Sequence, residues 1–161
     1  MPEPTAAKPA STSRVEMTQL VLPSYANSHG NAFGGRVMQW TDLAAAVAAM
    51  RHSRMPVVTA SIDQLAFRGP IRVGQIVILK AQVNAVFGSS MEVEVMVEAE
   101  DPRTGAKSHC CDAFLTFVAL GPDGRPAKAP LLLPQTADEE RRVREAAARR
   151  ADRVARRRPK I

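Results

Sequence analysis

Aromatic side chains are scarce, with Phe, Tyr and Trp making up only 4% of the 161 residues. A core built from this chain must therefore rest on Val, Ala, Leu and Met. Cysteine is nearly absent too. Cys110 and Cys111 are adjacent, and neighbours on a strand point to opposite faces, so they do not bridge one another. Two cysteines make no secreted disulfide framework, and no C-x-x-C or matching His spacing suggests zinc. His29, His52 and His109 are scattered over a loop, a helix end and a strand, so no metal site is expected. The opening stretch MPEPTAAKPASTSR lacks the apolar region of a secretory signal. The Ala-rich run at residues 43–50 is far too short to span a bilayer. A cytoplasmic protein with no membrane partner is the expectation.

Charge is unevenly placed. The net charge is +6, yet residues 138–161 hold ten Lys/Arg against five Asp/Glu. The rest of the chain is almost neutral, which argues against a broad nucleic-acid-binding face. A module binding nucleic acid through the arginine tail alone is disfavoured on that ground.

Local pattern gives an α+β chain. Residues 1–14 read as a disordered leader, polar and proline-rich. A domain at 15–134 follows, then a basic helix at 135–158 and a tail at 159–161. Residues 15–22 suit a first strand. PSYANSHGN is a loop by composition. From Gly35 to His52 strong helix formers run without proline, apolar nearly all round, as in a buried helix. Pro56 ends it. VVTASIDQLAF, QIVILKAQVNAVF, MEVEVMVEAE and HCCDAFLTFVAL then read as four strands. MEVEVMVEAE alternates, with Val93, Val95 and Val97 on one face and Glu92, Glu94 and Glu98 on the other. The breaks at Gly88-Ser89-Ser90 and DPRTGA suit hairpins, hence an antiparallel sheet on which the apolar helix buries itself. In the C-terminal helix, Thr136 and Glu139 are spaced as a capping box.

Asp42 is the most informative residue. It lies mid-helix among Met38, Ala45, Ala46 and Ala49, where a carboxylate is expensive unless paired or functional. A solvated stripe, or a bond to the sheet, is the plainer account. Gly34 and Gly35 lie where loop becomes helix. There the free N–H groups of the first turn, backed by the helix dipole, form an oxyanion site for a carbonyl under attack. Simple helix entry explains them equally well. Asn27 either holds a turn or positions a water or carbonyl. Gly34 and Asp42 are eight residues apart, roughly 12 Å along the axis. One carbonyl cannot easily touch both, so the expectation is a paired helix, with Asp42 of one subunit facing Asn27 and Gly34 of the other.

NSHGNAFGGRVMQWTD, followed by VVTASIDQLAFRGPIRVGQIVILKAQV and then SSMEVEV and FLTFVAL, resembles the hotdog acyl-CoA thioesterases. The nearest group is that of the bacterial short- to medium-chain acyl-CoA hydrolases and the brain-type cytosolic acyl-CoA hydrolases. The likeness runs from about Met17 to Arg153. It implies a hotdog fold, an antiparallel sheet wrapped around a long central helix, in a homo-oligomer: a hexamer built as a trimer of dimers, with active sites at the dimer interface. It implies hydrolysis of acyl-CoA to fatty acid and CoA, with Asp42 activating water or attacking. Asn27 and a Gly34 or Gly35 N–H then serve the thioester. CoA is part of substrate and product, and no separate cofactor is implied. CoA is expected along Thr59, Ala60 and Ser61 and at the turn Ser89, Ser90 and Met91. Arg149, Arg150 and Arg153 are placed to meet its phosphates, although a salt-bridged surface helix explains each arginine as well. Gln75 departs from the family, which often has Asp after the glycine, and His29 falls where members vary. Two other readings stay open. A hotdog hydratase or dehydratase would need a His partner for its acid, and none is convincing. A non-catalytic acyl-CoA-binding protein would have no use for both Asn27 and Asp42.

Overall fold

The computed structural model describes residues 6–157. Two helices and seven strands follow in the order β1 (Lys8–Pro9), β2 (Val15–Leu20), α1 (Gly34–Ser53), β3 (Val57–Phe67), β4 (Ile76–Phe87), β5 (Ser90–Glu100), β6 (Lys107–Ala119), β7 (Leu132–Leu133) and α2 (Ala137–Ala155). The five long strands form one sheet in the order β2-β4-β5-β6-β3, with every pairing antiparallel. The sheet wraps α1, as a hotdog fold requires.

Alternation along each strand sends one set of side chains onto the helix. Val93, Val95 and Val97 are fully buried, as are Val77, Leu79 and Val83 on β4. They meet Val37, Trp40, Ala44, Ala45, Ala48 and Ala49 of α1. The small alanines let the helix lie close to the sheet, which is how a core with few aromatics closes. β4 and β5 are joined through Gly88 and Ser89, with Phe87 opposite Ser90. Gly88 takes φ +64°, the left-handed geometry that a two-residue hairpin of the II′ kind needs at its first position.

The opposite face of the sheet is not left to water. Glu92 is 1% exposed because α2 lies across it. Arg149 binds the Glu92 carboxylate at both ends, at 2.7 and 3.0 Å, and stacks on Phe114 at 3.8 Å. Arg142 pairs with Glu94, and Ala146 is the helix's buried apolar contact. At the start of α2, Thr136 accepts from the Glu139 N–H at 3.1 Å. The Glu139 carboxylate accepts from the Gln135 N–H, one residue earlier than a strict capping box.

Two expectations need correction. The leader is not disordered from residue 8 onward. Lys8 and Pro9 pair with β7, and Ala10 and Ser13 are buried. The Ser13 hydroxyl accepts from the Val83 N–H at 2.9 Å. Polar composition did not show that these groups have partners far along the chain. Residues 1–5 of that leader, and the tail at 159–161, lie outside the described residues. Nor is α1 buried all round. Leu43 is 51% exposed and Met50 41%, beside an edge strand β3 whose Val58, Ile62 and Phe67 are 45%, 39% and 48% exposed. Among the described residues no helix is long and apolar enough to cross a membrane.

The docked N-terminal segment also closes over His52, a fully buried imidazole. His52 Nε2 donates to the Pro130 carbonyl at 2.7 Å, and Nδ1 has no partner among the described residues. Burial pushes its pKa below the usual histidine range. The bond to Pro130 opposes that shift, and the nearby Lys8 ammonium adds to it. The unfolded chain therefore takes up this proton first, at about pH 6.5. Stability is full above that pH and falls as pH drops through it, by at most about 1.4 kcal/mol per pH unit. Urea midpoints between about pH 8 and pH 5.5 are expected to fall less steeply in His52→Gln than in the parent, and equal slopes would exclude His52 as the source.

Candidate active site

The loop before α1 is built around Asn27. Its Oδ1 accepts from the N–H groups of His29 at 3.0 Å and Asn31 at 3.2 Å. Its own N–H and C=O bond to Asn31 and Gly30. The turn-holding account of Asn27 is thus correct for its oxygen. With the oxygen engaged, the amide NH2 is the group left to donate.

The chain then enters α1 with Phe33 at the N-cap position and no side chain capping the turn. The first turn contains no acidic residue. Arg36 is the first helical N–H bonded within the turn, to the Phe33 carbonyl at 2.9 Å. Among the described residues, the N–H groups of Gly34 and Gly35 bond to no carbonyl. They keep the positive end of the helix dipole open. A cleft of about 430 Å³ adjoins this end, lined by Asn31, Ala32, Gly34, Val37, Phe67 and Arg68 among others. Tyr25 fixes the helix beside it, edge-on to Trp40 at 5.5 Å and under Arg36 at 4.4 Å.

Asp42 lies two turns further on, half-buried. It shares a helical row with Met38, Ala46 and Met50. The Thr59 hydroxyl on β3 donates to Asp42 Oδ1 at 2.8 Å. One carboxylate oxygen is thereby held by a neutral group while the other is uncommitted to it. Asp42 and Thr59 stand at the α1–β3 border, where the unpaired edge strand and the exposed apolar side chains also lie. The roughly 12 Å between Gly34 and Asp42 along one helix keeps the two ends of the candidate site apart within one chain.

The residues expected to meet CoA divide. Ala60, Ser61, Ser90, Arg150 and Arg153 line one cleft of about 270 Å³, between the outer sheet face and the end of α2. Thr59 serves Asp42 instead. Ser89 sits in the tight turn, its carbonyl accepting from the Ala119 N–H. The Met91 side chain is fully buried in the core, so it has no face toward a ligand in that cleft. Arg149 is corrected most clearly. Glu92 holds it at both nitrogens, and withdrawing it would leave a buried carboxylate alone. Arg149 therefore anchors α2. Arg153 is paired with Asp63, which also accepts from the Ser61 hydroxyl at 3.2 Å. Three residues of this region escaped the sequence reading: Asp63, Thr116 and Arg157. The one available signal was an acid inside a β-branched run at Asp63.

Comparison with known proteins bears on these features together. The model of the Thioesterase superfamily matches residues 29–106. Acyl-coenzyme A thioesterase 11 of Mus musculus is 45% identical over 91% of this chain, and the chain spans about a quarter of that protein's length (25%). An uncharacterized acyl-CoA thioester hydrolase of Bacillus subtilis is 41% identical over 79% of this chain and 74% of its own length. The crystal structure of an apo-hexameric acyl-CoA thioesterase superposes with TM-score 0.90 at 38% identity, covering 94% of this chain and 97% of its own. An acyl-CoA hydrolase from Staphylococcus aureus, in complex with butyryl coenzyme A, coenzyme A and coenzyme A disulfide, gives TM-score 0.87 at 35% identity over 93% and 92% of the two chains. Variants of that hydrolase with an aspartate, an asparagine or a threonine replaced by alanine have also been solved.

Proposed function

This chain belongs to the thioesterase superfamily, and we propose that it hydrolyses acyl-CoA thioesters to free acid and CoA. The observation that carries the reading is the Asp42 carboxylate, held at Oδ1 by Thr59 on a helix whose N-terminal N–H groups are open. Asp42 takes a proton from water. The hydroxide formed attacks the thioester carbon, and charge develops on the carbonyl oxygen. The Gly34 and Gly35 N–H groups and the Asn27 NH2 are the donors for that oxygen and that water. The C–S bond then breaks, and the CoA thiolate leaves and is protonated. CoA enters only as part of substrate and product. The thiolate is a good leaving group, so base and oxyanion donors suffice.

The site is shared between two subunits in this reading. β3 is an eleven-residue edge strand, with Val58, Ile62 and Phe67 exposed beside Leu43. An apolar edge of that length is a liability unless a partner covers it. A second copy pairing at β3 closes the sheet, covers α1 and brings Asp42 of one chain toward Asn27 and Gly34 of the other. We extend this to a hexamer, a trimer of such dimers, by analogy with the hexameric relative. The phosphates of CoA lie at the Arg150 and Arg153 cleft.

Release of free thiol, followed with a thiol-reactive dye over acyl-CoA chains from two to sixteen carbons or so, tests the activity. Turnover of about 1–10³ s⁻¹ on at least one chain length is expected. No thiol release above the buffer rate at any length overturns the reading.

A further inference from the structure

One buried hydroxyl has no role in the fold. Thr116 on β6 is 5% exposed, and its Oγ1 has no hydrogen-bond partner among the described residues. Buried hydroxyls are nearly always bonded, because leaving one alone forfeits its hydration with nothing in return. Valine has the same shape and at least as strong a preference for strands. Packing therefore does not call for a hydroxyl here.

Its surroundings give the chemistry of a ligand. Thr116 lines the cleft of about 270 Å³ together with Ser61, Ser90, Arg150, Arg153 and Arg157. Ser61 lies directly across from Thr116 on β3. The cleft thus holds three guanidinium groups and three hydroxyls, of which Ser61 already donates to Asp63 and Ser90 to the Phe87 carbonyl, leaving Thr116 uncommitted. Of the carboxylates nearby, Asp63 is engaged by Arg153 and Ser61, and Glu92, across from Thr116 on β5, by Arg149. Arg150 lies over the Phe87 ring at 5.1 Å, a contact with a neutral ring that leaves its charge unmatched. The uncommitted Thr116 hydroxyl and the surplus positive charge of Arg150 and Arg157 fit a phosphate, whose oxygens only accept.

We propose that Thr116 forms the floor of a phosphate subsite, its hydroxyl donating to a phosphate oxygen of CoA while Arg150 and Arg157 supply the charge. The inference rests on the acyl-CoA reading and adds to it a buried positioning residue that senses the phosphate from below. The 3′-phosphate and the pyrophosphate share this chemistry.

Calorimetric titration of full-length protein with CoA and with 3′-dephospho-CoA, alongside thermal melts, decides it. In Thr116→Val the Kd for CoA is expected to rise about tenfold. The ligand-free melting temperature should stay level or rise by about 2–4 °C, since an unbonded hydroxyl has been removed. Thr116→Ser, which restores the donor, should bind CoA within about twofold of the parent. If dephospho-CoA binds parent and Thr116→Val alike, the hydroxyl reads the 3′-phosphate. If it loses the same factor, the hydroxyl reads the pyrophosphate. Undiminished CoA binding by Thr116→Val overturns the subsite alone, and so does a variant that melts well below the parent, the mark of a structural hydroxyl. A parent that neither binds CoA nor releases thiol overturns the acyl-CoA reading and the subsite with it.

Discussion

Asp42→Ala is expected to lower kcat for acyl-CoA hydrolysis by about 10³-fold while KM changes by less than about threefold. The carboxylate is the group that takes a proton from water in this reading, so its loss removes an interaction needed in the transition state. CoA affinity resides in a separate cleft and should persist. Asp42→Asn keeps the shape and the acceptor for Thr59 but not the base, and should be as inactive as the alanine variant. Thr59→Ala removes only the group that donates to Oδ1 at 2.8 Å, and a loss of about tenfold is expected. Folding is not expected to suffer. Asp42 is a half-buried carboxylate in a helical row with Met38, Ala46 and Met50, where alanine is the better helix former. A melting temperature equal to or above the parent's therefore separates lost chemistry from lost structure. Turnover unchanged in Asp42→Ala would remove the central assignment.

The sheet was the most legible part of this chain. β3 runs over Val57–Phe67, the same eleven residues, VVTASIDQLAF, that read as a strand after Pro56. Strand alternation in β5 correctly separated Val93, Val95 and Val97 from Glu92 and Glu94. What alternation could not say is what covers the glutamates. A face rich in Glu reads as solvated, yet Arg149 and Arg142 reach it from 57 and 48 residues away. The same blindness to distant partners explains the leader, whose Ser13 bonds to Val83. It also explains Arg149, assigned to CoA when its charge was already matched within the fold. Site residues carried by the helix stood out because each breaks a local rule. Asp42 is a charge in an apolar helix, and Gly34-Gly35 is a poor way to begin one. Thr116 breaks no such rule, since threonine belongs in strands. Only its burial without a partner singles it out, and that is a property of three dimensions.

The largest gain of activity should come from mixing two dead proteins. Asn27→Ala and Asp42→Ala are each expected to be nearly inactive as homo-oligomers. If Asp42 of one subunit serves the Asn27 and Gly34 end of its neighbour, a dimer of one variant with the other contains one site lacking both groups and one site with both intact. Equal mixing with full exchange makes half of the dimers mixed, each with one working site of two, so about a quarter of parental activity should return. Starting from a residual near a thousandth for Asp42→Ala, that is a rise of about 100-fold or more. The α-helical geometry makes the contrast sharp. Along a single α1, Gly34 and Asp42 stay roughly 12 Å apart however the side chains turn, so a site contained in one chain would have to bridge that gap within each subunit. Mixed oligomers would then contain only singly damaged sites, and activity would remain at the mean of the two residuals. Exchange must be verified independently, by mass spectrometry of differently tagged subunits after brief dissociation and reassembly. Verified exchange without recovery would sink the shared site and leave the exposed β3 edge to be explained by a contact that carries no chemistry.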